Sequence, residues 1–123
     1  MKLTKNFSKN EFDSKDGAEM PGEVLERVKR LASYLQVIRD HLGVPITVNS
    51  GYRSPEHNKT IGGSDGSKHM EGIAADIVVE GHTPHSVFAA IEALTDQGKL
   101  PHGGMKAYST FTHWDYRGYK ARW

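Results

Sequence analysis

Between Pro21-Gly22 and Gly43 the apolar residues Val24, Leu25, Val28, Leu31, Ala32, Leu35, Ile38 and Leu42 return at steps of three and four, the period that aligns one face of an α-helix. A greasy face of that length has to be covered, so the rest of the chain must supply a second layer. Gly43 gives the helix its stop. Val44-Pro45-Ile46-Thr47-Val48 then reads as a short β-branched strand, and Ile73 to Val79 as a second one ending at Glu80-Gly81. Thr83-Pro84 has the form of an N-cap followed by proline at the first helical position, and Val87, Phe88, Ile91 and Leu94 carry a second helical face as far as Gly98. Met105 to Tyr108 and Phe111 to Tyr116, split by Ser109-Thr110, predict a terminal hairpin. The expected fold class is α+β: two helices packed on a small, mainly antiparallel sheet. At 123 residues, with no repeat, low-complexity tract or linker, residues 1–123 are expected to form a single domain.

Sixteen Lys and Arg stand against fifteen Asp and Glu, a formal charge of +1, so no large electrostatic term favours nucleic acid or anionic lipid. A base-stacking motif is also missing, and a nucleic-acid partner is not expected. Arg117, Lys120 and Arg122 near the C-terminus read as a solvated basic tail. There is no cysteine, which excludes disulfides and restricts any metal site to His, Asp, Glu and water. The opening M-K-L-T-K-N-F-S-K-N-E-F has no apolar run of signal-peptide length, and no stretch approaches a membrane span. Action outside the cytoplasm would therefore need delivery by something other than a signal visible here.

From Asn49 to Lys68 the chain turns to Gly, Ser, Asn and Pro, the chemistry of a loop, and a polar loop this long in a small domain points to function. It leads into S-K-H-M-E-G-I-A-A-D, Ser67 to Asp76, which sets His69 and Asp76 an odd number of positions apart. Side chains alternate faces along a strand, so one unbroken strand cannot aim both at one ion. If His69 ends the loop and Asp76 lies inside the strand, a turn at Gly72 can fold the histidine back, with Ala74 and Ala75 giving little bulk. A catalytic zinc site takes three protein ligands and keeps a fourth position open. His113, in F-T-H-W-D of the last strand, is the best third candidate, with Asp115 two positions on and on the same face. Taken singly, each of these residues reads more readily as a hydrogen-bonded surface or edge residue.

The stretch S-K-H-M-E-G-I-A-A-D matches the pattern S-x-H-x-x-G-x-A-x-D and resembles the D-alanyl-D-alanine carboxypeptidase-like zinc peptidases, which cut bacterial peptidoglycan peptides and share their core fold with the hedgehog signalling domain. S-G-Y-R-S-P-E-H-N, Ser50 to Asn58, is similar to that family's substrate-side loop. F-T-H-W-D with the terminal R-G-Y-K-A-R-W resembles its closing strand, and N-F-S-K-N-E-F, Asn6 to Phe12, its usual opening. The resemblance covers almost the whole chain and implies a hedgehog/DD-peptidase-like fold and one Zn²⁺ on His69, Asp76 and His113. It also implies a peptidoglycan peptide as substrate.

The same resemblance gives Arg53 the task of holding a substrate carboxylate, which its planar guanidinium suits, and puts Ser67 near the metal or substrate, where a loop-capping role serves as well. Hydrolysis would use a metal-activated water with no acyl-enzyme, and no G-x-S-x-G elbow is present. Several relatives place Glu or Asp three residues before the last zinc histidine. Here that position is Thr110, which cannot take a proton. Asp115 stays open between two roles, accepting protons from the water and orienting His113. His102, in P-H-G-G, is a candidate to stabilise the oxyanion, against the plainer reading of a surface loop histidine. Glu71 is expected to face solvent. Tyr52, Tyr108, Trp114 and Trp123 are candidates for a groove floor, against the core role usual for strand aromatics.

The function expected is a zinc-dependent peptidase of peptidoglycan stem peptides or crosslinks, carboxypeptidase or endopeptidase in type. The alternative is a non-catalytic, zinc-stabilised cell-wall or partner-binding module. The missing signal and wall-binding domain point to a phage-encoded lysis or tail-associated enzyme, or one released by other means, acting on the cell wall or periplasm; a monomer is expected. The choice among a D-Ala-D-Ala bond, a diaminopimelate crossbridge and an L-Ala-D-Glu bond depends on pocket shape around Arg53 and is not written in the sequence.

Overall fold

In the computed structural model, which describes residues 1–123, the long apolar face becomes helix α1, Gly22–Leu42. It stops where Gly43 turns left-handed at φ 71° and donates its N–H to the Arg39 carbonyl, a conformation glycine adopts without a Cβ penalty. Val28, Leu31, Leu35 and Ile38 are fully buried along it, each large side chain contributing about 1.5–3 kcal/mol over an exposed position. Helix α2 is Pro55–Thr60 and α3 is Pro84–Asp96. The strands are β1 Ile46–Ser50, β2 Ala74–Val79, β3 Gly104–Ala107, β4 Thr112–Asp115 and β5 Ala121–Arg122. They make one sheet in the order β1-β2-β4-β3-β5, antiparallel at every pairing except the parallel β3–β5. The α+β class expected from periodicity is the class found.

The two faces of the sheet differ in chemistry because strand side chains alternate. Ala75 pairs with Trp114 and Ile77 with Thr112, and on this face Ala75, Ile77, Met105 and Trp114 join the apolar residues of α1 and α3 in one continuous core. Tyr34 of α1 meets Trp114 edge-on at 5.8 Å. The alternate positions fall on the other side: Asp76 opposite His113, and Ala74 opposite Asp115. One register thus delivers both a packed core and a row of polar side chains facing away from α1 and α3.

Three differences from the sequence expectation have physical causes. The first strand begins two residues late, at Ile46, because Pro45 has no N–H to give the ladder, and it continues through the polar Asn49-Ser50 because Ser50 pairs with Asp76. The loop contains α2, capped by Ser54, whose Oγ accepts the His57 N–H at 3.1 Å. Its six residues are too few to show an apolar period. Of the basic C-terminal residues only Lys120 is exposed: Arg117 is paired with Asp115, and Arg122 sits in β5, donating to Glu92 Oε1 at 2.6 Å and to the Gly103 carbonyl at 2.6 Å. At the other end, the Ser8 N–H donates to Glu11 Oε2 at 2.7 Å across a 3-10 turn, Lys9–Phe12, that buries Phe12. No helix is long and apolar enough to cross a membrane.

Candidate metal centre

Ser67 caps a second 3-10 turn, Lys68–Glu71, its Oγ accepting the His69 N–H at 3.3 Å. The turn ends at Gly72, φ 79°, whose N–H donates back to the His69 carbonyl. A Cβ at Gly72 would stand 2.8 Å from Cγ1 of Val24, so both the left-handed turn and the close approach of α1 demand glycine. This reversal is what lets two residues of opposite strand parity meet. The His69 Nδ1–H donates to the Gly51 carbonyl at 2.7 Å, which turns Nε2 toward Asp76, 3.2 Å from Oδ1. His113, directly across the β2–β4 ladder from Asp76, brings Nδ1 to 3.0 Å from the same oxygen.

The three ligand atoms lie within 4.8 Å of one another, and all three residues are buried. Two imidazole nitrogens and a carboxylate oxygen form a donor set that Zn²⁺ accepts. Tetrahedral ligands held about 2.0–2.2 Å from an ion sit about 3.3–3.5 Å from each other, close to the separations of 3.0 and 3.2 Å seen here. The residues present fit the ion.

Behind His113 stands Asp115, fully buried. The His113 Nε2–H donates to its Oδ2 at 2.9 Å. Arg117 grips the same carboxylate with both prongs, Nη2 to Oδ2 at 2.8 Å and Nε to Oδ1 at 2.9 Å, and the Gly104 N–H adds a bond to Oδ1 at 2.9 Å. The fit is close enough that a Cβ on Gly104 would come 2.5 Å from Oδ2. Burial pushes the Asp115 carboxyl up, but the bonds from Arg117, His113 and the Gly104 amide outweigh it and hold the group well below the usual carboxylate range. At Asp76 burial is likewise outweighed by bonds to His113 and His69, again leaving a strongly acidic carboxyl. His113 shows the converse: burial pulls its pKa down, while Asp115 and Asp76 on either side raise it by more.

The cluster forms part of the wall of a cleft of about 510 Å³. Arg53 and Ser67 line the cleft with the ligands. The Arg53 guanidinium spans Ser50 Oγ at 3.3 Å, Asn58 Oδ1 at 3.4 Å and Asp76 Oδ2 at 3.4 Å, all long contacts. Across the Asp76–His113 pair, Tyr108, Phe111 and Trp123 line the cleft. The Trp123 ring meets His113 edge-on at 5.2 Å, and its Nε1–H donates to the Tyr108 hydroxyl at 3.3 Å. The aromatic candidates therefore divide, since Tyr52 and Trp114 belong to the core. Glu71 is exposed and paired with Lys68 at 3.1 Å. His102 is not brought to the site: its ring is exposed outside the cleft.

Among the residues at or behind the cleft, Asn58, Arg117 and Lys68 have contacts the sequence did not lead one to expect. Asn58 is buried, receives Arg53, and donates Nδ2–H to the Ser64 carbonyl at 2.9 Å, joining the arginine to the glycine-rich loop. Arg117 continues the two-residue step of His113 and Asp115, a spacing that could have placed it on their face. Lys68 lines the cleft beside His69.

The profile of the family described as Peptidase M15 matches residues 5–115. A zinc D-Ala-D-Ala carboxypeptidase of Streptomyces albus G is 50% identical over 44 residues, an alignment that covers 35% of this chain and 17% of that protein. The match thus spans a small part of the relative's length. A solved structure, the L-Ala D-Glu endopeptidase ChiX of Serratia marcescens, is 18% identical with a TM-score of 0.49, covering 79% of this chain and 88% of that one.

Proposed function

Because the chain belongs to the peptidase M15 family, we propose that residues 1–123 are a single zinc peptidase domain that hydrolyses peptide bonds in bacterial peptidoglycan stem peptides or crosslinks. His69 Nε2, Asp76 Oδ1 and His113 Nδ1 are the ligands of one Zn²⁺. The observation that carries this reading is their convergence from a loop, β2 and β4 within 4.8 Å, in the wall of an open cleft. Bound there, the ion supplies Lewis acidity to a peptide carbonyl and to water. The D-Ala-D-Ala specificity named for the Streptomyces relative and the L-Ala-D-Glu bond remain rival substrates for the same cleft.

The chain's own residues divide the remaining work. Arg53 binds a substrate carboxylate, exchanging its long contacts for a charge-assisted pair, and Asn58 keeps it facing the cleft. Ser67 fixes the turn that presents His69. Asp115 takes the positioning role rather than that of proton acceptor: both its oxygens are occupied by donors, and it is out of solvent. It holds Nε2–H of His113 so that Nδ1 keeps its lone pair for the metal. His102 has no part in this arrangement. Action on the cell wall or periplasm as a monomer, with phage among the sources, belongs to the same reading.

Mass spectrometry of muropeptides after incubation with the zinc-loaded protein tests it. A defined peptide bond should be cut, and a chelator should stop the cutting. Zinc-loaded protein that releases no new amine from peptidoglycan would return the non-catalytic wall-binding alternative.

A further inference from the structure

The cleft lining carries three cations, Arg53, Lys68 and Arg117, and one carboxylate, Asp76. Their commitments differ. Arg117 is locked two-pronged onto buried Asp115, and Arg53 reaches Asp76 itself. Lys68 has one ionic partner, Glu71 at 3.1 Å, the two side chains being 26% and 51% exposed. A pair open to solvent on its Glu71 side is screened and weak, and an ammonium group has three donors, so Lys68 can take up another carboxylate at little cost. Its backbone position is fixed: it lies between the Ser67 cap and the ligand His69, and the Arg53 N–H donates to the His69 carbonyl at 3.1 Å. Two cations that can be recruited are thus held on the loop side of the cleft, facing Tyr108, Phe111 and Trp123 across the metal cluster.

We propose that Lys68 is a specificity-determining residue and that the site prefers peptides bearing a second carboxylate close to the scissile bond, one gripped by Arg53 and the other by Lys68. This rests on the peptidase reading for the location of the scissile bond but not for the anion preference. A neutral amide at the second position leaves the ammonium facing a group of much weaker attraction. Arg117 cannot substitute, because recruiting it would strip Asp115 of its partner.

The test uses two synthetic peptides of one sequence, the second carboxylate present in one and replaced by a carboxamide in the other. KM is measured by amine release, and Kd by calorimetry on the zinc-loaded protein. The acid peptide should bind about tenfold or more tightly, as a charge-assisted hydrogen bond implies. In Lys68→Gln the two peptides should converge in both KM and Kd, and Lys68→Arg should restore the preference. Equal binding by the wild type, or a preference that survives in Lys68→Gln, overturns the assignment. A Lys68-dependent preference in Kd with neither peptide cut would sink the peptidase reading and leave the assignment standing. Cutting of both without discrimination would do the reverse, and absence of both binding and cutting rejects the two together.

Discussion

Asp115 is one carboxylate serving three donors' needs at once: His113, Arg117 and the Gly104 amide. Asp115→Asn keeps its shape but sets an NH₂ group against one of those donors and leaves the Arg117 guanidinium without a counter-charge. Breaking a buried pair from one side costs about 3–5 kcal/mol, which thermal unfolding of the zinc-saturated variant should register as a lower Tm. Losing the carboxylate behind a metal-binding histidine should also weaken metal affinity by about 10–100-fold, measured by chelator competition. Unchanged affinity would remove the positioning role. At this scale the sequence offered residue types and parity: His69 and Asp76 flank a glycine turn, and His113 and Asp115 share a strand face. The pairing of Arg117 with Asp115 was hinted at only by the two-residue step they share with His113, because a charged residue near a chain end reads as solvated until the fold brings a buried carboxylate beneath it.

Helix α2 carries Asn58 to Arg53. Asp16 fastens it to the N-terminal segment, accepting hydrogen bonds from the Ser14 and Ser54 hydroxyls at 2.6 Å each, while the Ser54 N–H donates to Ser14 Oγ at 3.0 Å. The bonds from Ser14, Ser54 and the Ala18 amide hold the Asp16 carboxyl down at about 2 from an ordinary 3.8. A lowered folded-state pKa means the stabilisation is complete above the unfolded value and is lost as pH falls toward the folded one. Asp16→Asn should therefore be less stable than wild type above about pH 4, the gap closing between about pH 4 and pH 2, as read by denaturant titrations at each pH. A gap that stays constant through that window would mean the charge of Asp16 contributes nothing. Helix α1 was legible because a stripe of apolar residues runs from Val24 to Leu42 along its twenty-one residues. Helix α2 and β5 were not, since such short pieces exist by tertiary partners: Asp16 and Ser14 for one, the β3 edge and Glu92 for the other.

For the molecule as a whole, the proposed ion ties the β1–β2 loop to the centre of the sheet, so metal loading and folding are linked. At a free zinc concentration about a thousandfold above Kd the linkage is worth about 4 kcal/mol. Chelation should therefore lower Tm and speed proteolysis of the loop between Gly51 and Gly72, both reversed by added zinc. An indifferent Tm would separate the ion from the fold. The core beneath is independent of the metal: Leu31→Ala, at a fully buried position of α1, should cost about 2–5 kcal/mol with or without chelator, measured by denaturant unfolding. The most direct test of the whole proposal is anomalous diffraction at the zinc edge from crystals of the zinc-loaded protein. The expected result is one strong peak within about 2.0–2.2 Å of His69 Nε2, Asp76 Oδ1 and His113 Nδ1. A density map with no peak between those atoms, or with its zinc bound elsewhere, would contradict the proposal.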